Sequence, residues 1–246
     1  MSVLPELLLI DKPKGISSFT VIRRLRRLTG VRKMGHAGTL DPLASGLMLI
    51  GVEKGTKKLT PLVGLDKEYV ASILLGEQRS TGDMEGEILT ERPYAGDVSK
   101  EAVLEALRAM EGEIELPVSA YSAIKKDGVP MYKRARKAAE KGEVVEDVPL
   151  RMMKVYETEL LEIKEIETES GPRLEMKVRF KVGSGTYIRS LAEEVGRRLQ
   201  YPAVMSDLRR TKVGEYRIED AKQIGEFGPI SQRLIFKIKS FFKSKK

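Results

Sequence analysis

Hydrophobic positions in the first fifty residues change period twice. Leu7 to Ile10 is a continuous apolar run closed by Asp11-Lys12-Pro13-Lys14-Gly15, which predicts a buried strand followed by a turn. Phe19, Ile22, Leu25 and Leu28 then recur at helical spacing behind Ser17 and Ser18, either of which can cap, and Gly30 closes the helix. The opposite face of that helix carries Arg23, Arg24, Arg26 and Arg27 and no acid. Such runs are usually solvated faces, but four arginines without a counter-charge point toward phosphate. Residues 35–46 hold three glycines and a proline, the mark of a structured loop, before Leu47 to Val52 resumes an apolar strand.

Further along, Lys67 to Leu75 is strand-like with Tyr69, Ala71 and Ile73 on one face. Ser99 caps a helix running to Met110, and a second helix spanning about Met131 to Lys141 is rich in Lys and Arg. The clearest strand is 173–182, where Leu174, Met176, Val178, Phe180 and Val182 alternate with mostly charged residues, a sheet with one wet face. Thr186 to Leu199 reads as a helix burying Ile188, Leu191, Val195 and Leu199. Strands and helices are interspersed without regular βαβ alternation. The expectation is an α+β fold around a mixed, largely antiparallel central sheet flanked by helices and loops.

Composition narrows the chemistry. The 246 residues suffice for one large domain or two small ones. No apolar run approaches the ~20 residues of a membrane-spanning helix, and the first ten residues lack the pattern of an export signal, so a cytoplasmic location is expected. With no cysteine there are no disulfides, thiolate ligands or cysteine nucleophiles, and the single histidine, His36, excludes zinc motifs that need two. The formal charge is +8, of which five lysines in the last ten residues supply +5. A basic chain suggests nucleic acid or another anionic surface without specifying which.

No dinucleotide fingerprint, Walker loop or Gly-x-Ser-x-Gly elbow occurs. What remains is Asp41, in the middle of a glycine-rich loop and stiffened by Pro42. Its flanking glycines allow a ligand close to the backbone, which suits a carboxylate nucleophile or base. The plainer alternative is an Asp-Pro pair that starts a turn.

Taken together, the motifs resemble a known family. Gly35-His36-Ala37-Gly38-Thr39-Leu40-Asp41-Pro42-Leu43-Ala44-Ser45-Gly46 is similar to the signature loop of the TruB-type tRNA pseudouridine-55 synthases. Asp11-Lys12-Pro13-x-Gly15-x-Ser17-Ser18, Lys67-x-Tyr69 with Leu75-Gly76, and Thr81-x-Asp83-x-x-Gly86 resemble further family motifs. Pro117-x-x-x-Tyr121-Ser122-Ala123-x-Lys125, Gly185-Thr186-Tyr187-Ile188-Arg189-Ser190 and Leu208-Arg209-Arg210-Thr211 follow in the family's order.

The resemblance implies isomerisation of uridine to pseudouridine in the tRNA T-loop, without metal, redox cofactor or thiol. Asp41 matches the family's essential aspartate, Tyr69 the tyrosine that stacks on the target uracil, and Arg189 the arginine paired with the aspartate. A guanidinium would keep a carboxylate walled from water ionised. Tyr187 matches a pocket-lining position, Leu208 an apolar residue under the pocket floor, and His36 the loop histidine that helps displace a neighbouring nucleotide. Thr39 and Lys12 fall in the same motifs and are expected on the substrate side, Lys12 as either a structural or a phosphate-contacting residue. Arg23, Arg27, Lys33, Lys133 and Arg134 are expected phosphate contacts. The implied partner is the tRNA T-arm, met by a monomer with no protein partner and no membrane.

The match has departures. Residues 1–225 read as the catalytic domain and 226–246 as a basic helix and tail, where longer members carry an RNA-binding PUA domain. Arg79 stands where the family often has threonine. Three alternatives stay open: an RNA-binding or tRNA-folding factor, a guide-RNA-dependent relative, and a carboxylate hydrolase pairing Asp41 with Asp83.

Overall fold

The computed structural model describes residues 4–227 apart from 123, 144 and 146. The described residues fold as two compact units, residues 4–67 with 209–227, and residues 68–208. The basic helix and tail expected over 226–246 lie, from residue 228 on, outside the described residues.

The first unit begins with β1 (Leu7–Lys12), α1 (Ser18–Thr29), β2 (Met34–Ala37), β3 (Ser45–Val52) and the short α2 (Leu59–Val63). β1 and β3 pair antiparallel along their length, Leu7 opposite Gly51 through Lys12 opposite Gly46, and β2 flanks the other edge of β3. All eight residues of β3 are buried, as a central strand covered on both faces requires. One face packs Leu47 and Leu49 with Ala37, Leu59 and Val213. β1 instead alternates half-buried and buried positions through Lys12, so the strand runs two residues into the predicted turn.

In α1, Ser17 is the N-cap and accepts a hydrogen bond from the Thr20 amide, while Gly30 closes the helix in the left-handed conformation. The buried side is Ser18, Val21, Ile22 and Leu25. Phe19, expected to face the core, is 61% exposed, and Arg26, expected to face solvent, is half-buried with Nη2 donating to the Met34 carbonyl.

The second unit takes up β4 (Lys67–Leu75) from its second residue, then β5 (Glu77–Arg79), β6 (Ile88–Glu91), α3 (Lys100–Arg108) and β7 (Gly112–Pro117). β8 (Lys125–Lys126), β9 (Val129–Pro130) and the basic α4 (Met131–Ala139) follow, then β10 (Leu150–Thr168), β11 (Gly171–Val182) and α5 (Ile188–Arg198). Its sheet runs β4-β11-β10-β7. The β10–β11 pair is antiparallel and carries two register shifts. Leu174, Met176, Val178, Phe180 and Val182 of β11 are buried as their alternation predicts, and α3 and α5 pack on the sheet through β10 and β7. α5 buries Ile188, Leu191 and Val195, as expected.

The chain leaves through β12 (Ala203–Val213), whose last residues return to the first unit, where Arg209 and Arg210 lie parallel to Ser45 and Gly46. β13 (Tyr216–Arg217) pairs with β12, and β14 (Lys222–Gln223) runs parallel to β1. The sheet pairing is thus mixed and mostly antiparallel, in an α+β fold.

Candidate active site

The Asp41 loop connects β2 to β3, and its backbone is held from both sides. Before Asp41, Ser18 Oγ donates to the Leu40 carbonyl at 2.9 Å and accepts from the Leu40 amide at 2.8 Å, a buried reciprocal pair. After it, the Pro42 carbonyl receives the Gly15 amide at 2.8 Å and Lys12 Nζ at 3.3 Å. Lys12 is fully buried and also donates to the carbonyls of Pro13 and Ile16. Its ammonium is therefore committed to the turn's own backbone. The Ala44 amide donates to the Asp41 carbonyl at 3.1 Å, closing a tight turn around Pro42. Such a frame fixes the backbone from which the Asp41 carboxylate projects before any substrate arrives. Asp41 itself is half-buried and Thr39 exposed.

Arg210 supports the same loop from behind. It is 1% exposed, and its Nε donates to the Leu47 carbonyl at 2.7 Å and Nη2 to the Gly38 carbonyl at 3.3 Å. Gly46 holds φ +109°, and a Cβ there would lie 2.7 Å from the Arg210 amide nitrogen. Only glycine lets the two strands approach so closely. Burial and then the Arg210 charge push the His36 imidazole below its usual range, so it is neutral at physiological pH. Lys67 is lowered to about 8, first by burial and then by Arg210, although its Nζ donates to the carbonyls of Val63 and Leu65. No signal local to the Asp41 motif reveals Arg210 as its support.

Tyr69, Tyr187, Arg189 and Leu208 belong to the second unit. Tyr69 sits on β4 and is buried, as is Leu208 on β12. Tyr187 is half-buried at the N-cap of α5. Arg189, in the first turn of α5, is buried and its Nη1 donates to the Thr81 carbonyl at 2.8 Å and to Ser119 Oγ at 3.0 Å. Nη2 donates to the Tyr121 carbonyl at 3.2 Å, and Asp83 Oδ2 lies 3.7 Å away. Asp83 is the acid the sequence offered as a partner for Asp41 in hydrolysis. Here it is an acceptor, bound through Oδ1 to Thr81 Oγ1 at 2.6 Å and to the Glu85 amide at 3.1 Å, with its other oxygen toward Arg189.

Arg79, the position where the motif departs, is turned inward. Its Nε donates to Glu77 at 2.7 Å and Nη1 to the carbonyls of Met84 and Gly86, so it braces the 77–87 hairpin. Burial raises the Glu193 carboxyl, opposed by a hydrogen bond from Gln78 and by the Arg189 charge. Among the described residues no cluster of three or more acidic or histidine side chains could hold a metal ion.

The model of TruB family pseudouridylate synthases, N-terminal domain, matches residues 26–188. This chain belongs to the TruB pseudouridylate synthase family. It is similar to tRNA pseudouridine synthase B of Leifsonia xyli, 44% identical over 225 residues that span 91% of this chain and 72% of the relative. The same-named protein of Thermobifida fusca is 40% identical over 218 residues, 89% of this chain and 72% of the relative. Among solved structures, an H/ACA RNP bound to a substrate RNA containing 2′-deoxyuridine aligns with TM-score 0.63 at 28% identity, covering 89% of this chain. A Cbf5-Nop10-Gar1 complex aligns with TM-score 0.63 at 30% identity, covering 88%. The chain spans about half the length of the chains in those two structures, 50% and 51%. The Asp41 loop and the loops at Thr81 and Tyr121 fall inside the span matched by the TruB family model.

Proposed function

We propose that this TruB family protein isomerises uridine to pseudouridine at position 55 in the T-loop of tRNA, with Asp41 as the nucleophile. The observation that carries this reading is the Asp41 loop, whose backbone is tied down on both sides of the aspartate. It sits in a chain about 40% identical to proteins named tRNA pseudouridine synthase B.

The chemistry follows from carboxylates and phenols. The target nucleotide leaves its stack and enters the pocket, where Tyr69 packs on the uracil. Asp41 attacks C1′ or C6, and the N1–C1′ bond breaks. The uracil turns, C5 bonds to C1′ and the bond to Asp41 breaks, freeing its carboxylate; the C5 proton then passes to Tyr69 as a proton returns to N1. Bonds broken and formed balance with no oxidant, metal or cofactor. Arg189 matches the arginine that the family pairs with its aspartate. Tyr187 and Leu208 line that pocket, His36 and Thr39 meet the RNA beside it, and Lys12 serves the loop's structure. Arg23, Arg27, Lys33 and Lys133, all exposed, contact tRNA phosphates, as does Arg134, which is half-buried and also donates to the Lys126 carbonyl and Asp127. Residues 1–225 carry the catalytic activity. The enzyme acts in the cytoplasm as a monomer on tRNA, without a protein partner; no helix among the described residues is long and apolar enough to cross a membrane.

The test is tritium release from C5-labelled, unmodified tRNA transcript, compared with a transcript lacking uridine 55 and with Asp41→Asn protein. Release that depends on both uridine 55 and Asp41 is expected. Tight binding without release would replace the enzyme with an RNA-folding factor, and release without uridine 55 would move the target to another uridine.

A further inference from the structure

Ser119 Oγ stands at the centre of the contacts that hold Arg189. It donates to the Thr81 carbonyl at 3.1 Å, accepts from the Tyr121 amide at 3.2 Å and accepts from Arg189 Nη1 at 3.0 Å. One hydroxyl has one proton to give and two lone pairs, so the hydroxyl's capacity is filled. Thr81 and Tyr121 in turn offer their carbonyls to Nη1 and Nη2 of the same guanidinium. A single oxygen thus joins two loops and the arginine into one network.

The segment that carries Ser119 continues directly into a basic surface. The Tyr132 amide donates to the Ser122 carbonyl at 2.9 Å and the Met131 amide to the Ile124 carbonyl at 2.7 Å, so the loop forms the root of α4. α4 has no acid in its first turn and exposes Lys133, Arg136 and Lys137. Hydrogen bonds thus link the root of α4, through residues 119–122, to the groups that hold Arg189.

We propose that Ser119 is a positioning residue that sets the Arg189 guanidinium and couples it to the root of α4, so that RNA docking on the basic helix and alignment of the arginine occur together. This rests on the reading of Arg189 given above.

The experiment measures single-turnover pseudouridine formation and tRNA binding for Ser119→Ala, Ser119→Thr, Arg189→Lys and the double variant Lys133→Ala/Lys137→Ala. Ser119→Ala should slow the chemical step about 10-fold or more, the weight of one hydrogen bond to a charged group, with tRNA affinity within twofold. Ser119→Thr, which keeps the hydroxyl, should recover most of the rate. Removing the two lysines should slow the bound-state rate in the wild-type background and have a smaller effect beside Ser119→Ala, a non-additivity that a merely structural serine would not produce. If the alanine variant does not fold, Ser119→Cys replaces it and should also be slow.

A wild-type rate for Ser119→Ala with Arg189→Lys inactive overturns the role of Ser119 and leaves that of Arg189 standing. Strict additivity with the lysine variant, or equal loss in Ser119→Ala and Ser119→Thr, overturns the coupling. Full activity of Arg189→Lys overturns both readings.

Discussion

Replacing Arg210 by methionine removes the guanidinium behind the Asp41 loop while roughly keeping its volume. Two hydrogen bonds are lost, to the Leu47 carbonyl at 2.7 Å and the Gly38 carbonyl at 3.3 Å, from a side chain 1% exposed. The first is short and charge-assisted and contributes about 1.5–3 kcal/mol; the second is long and contributes about 1 kcal/mol or less. Against this, methionine avoids the cost of burying a cation and ends its repulsion of Lys67 and His36. The net expectation is a loss of about 2–3 kcal/mol, which for a chain of this length lowers Tm by roughly 4–12 °C. A second readout is independent of stability. His36 is the protein's single histidine, so its imidazole signals in NMR are unambiguous. With Arg210 gone its pKa should rise, yet stay below the ordinary value because burial, the larger cause, remains. Urea denaturation and an NMR titration together test the reasoning. Stability within about 0.5 kcal/mol of wild type with an unmoved His36 titration would refute Arg210 as the support of this loop.

Ser18→Ala strips both the amide and the carbonyl of Leu40 of their buried partner; a loss of about 2–4 kcal/mol and a slower chemical step are expected from calorimetry and tritium release, with tRNA affinity retained. Lys67, lowered to about 8, gives a pH signature. Its folded pKa lies below the unfolded value of about 10.4, so the penalty of charging it is complete below pH 8 and is relieved as pH rises toward 10.4. Urea midpoints should therefore show a rising contribution across that window that Lys67→Met lacks. Arg23→Ala/Arg27→Ala should leave Tm unchanged, since both side chains are exposed, but reduce the slope of log affinity for tRNA against log salt by about 1.4–1.8; an unchanged slope would remove α1 from the RNA surface.

The elements that were legible in the sequence are those whose burial follows one local period. β11 alternates cleanly, and α5 buries one stripe under a helical repeat, so both are found where the pattern puts them. In α1 the period misleads. Residues 19, 22, 25 and 28 are three apart, and at about 100° per residue each step falls some 60° short of a full turn, so Phe19 and Leu28 end on opposite sides of the helix. The helix buries 18, 21, 22 and 25 instead, leaving Phe19 in solvent. β10 escaped for another reason. Its 19 residues are interrupted by shifts at Val155/Glu157 and Leu160/Glu162, so no single alternation runs through it. The motif residues of the candidate site were visible because they stand close together in sequence. The contacts that support them were not: Ser119 meets Arg189 across 70 residues, and Arg210, though itself a motif residue, meets Leu47 across 163.

The cations show why a charge count alone misleads about function. By sequence Lys12, Arg26, Arg79 and Arg210 resemble Arg23, Arg24 and Arg27, and all add to the same positive balance. In the fold the first four are turned inward and give hydrogen bonds mainly to backbone carbonyls of turns and loops. Carbonyls at strand ends and loop corners have no partner in a ladder, and leaving one buried and bare costs about 1–3 kcal/mol. A long cationic side chain can reach several of them, as Lys12 reaches three. Positive charge here thus has two distinct uses. Inward cations stiffen the loops that present Asp41 and brace the 77–87 hairpin, and outward ones leave positive charge in solvent, where the proposed phosphate contacts lie. The balance of +8 therefore does not measure the RNA-binding charge directly. What matters is which cations remain exposed once the backbone has been satisfied, and on α1 these are the three arginines 23, 24 and 27.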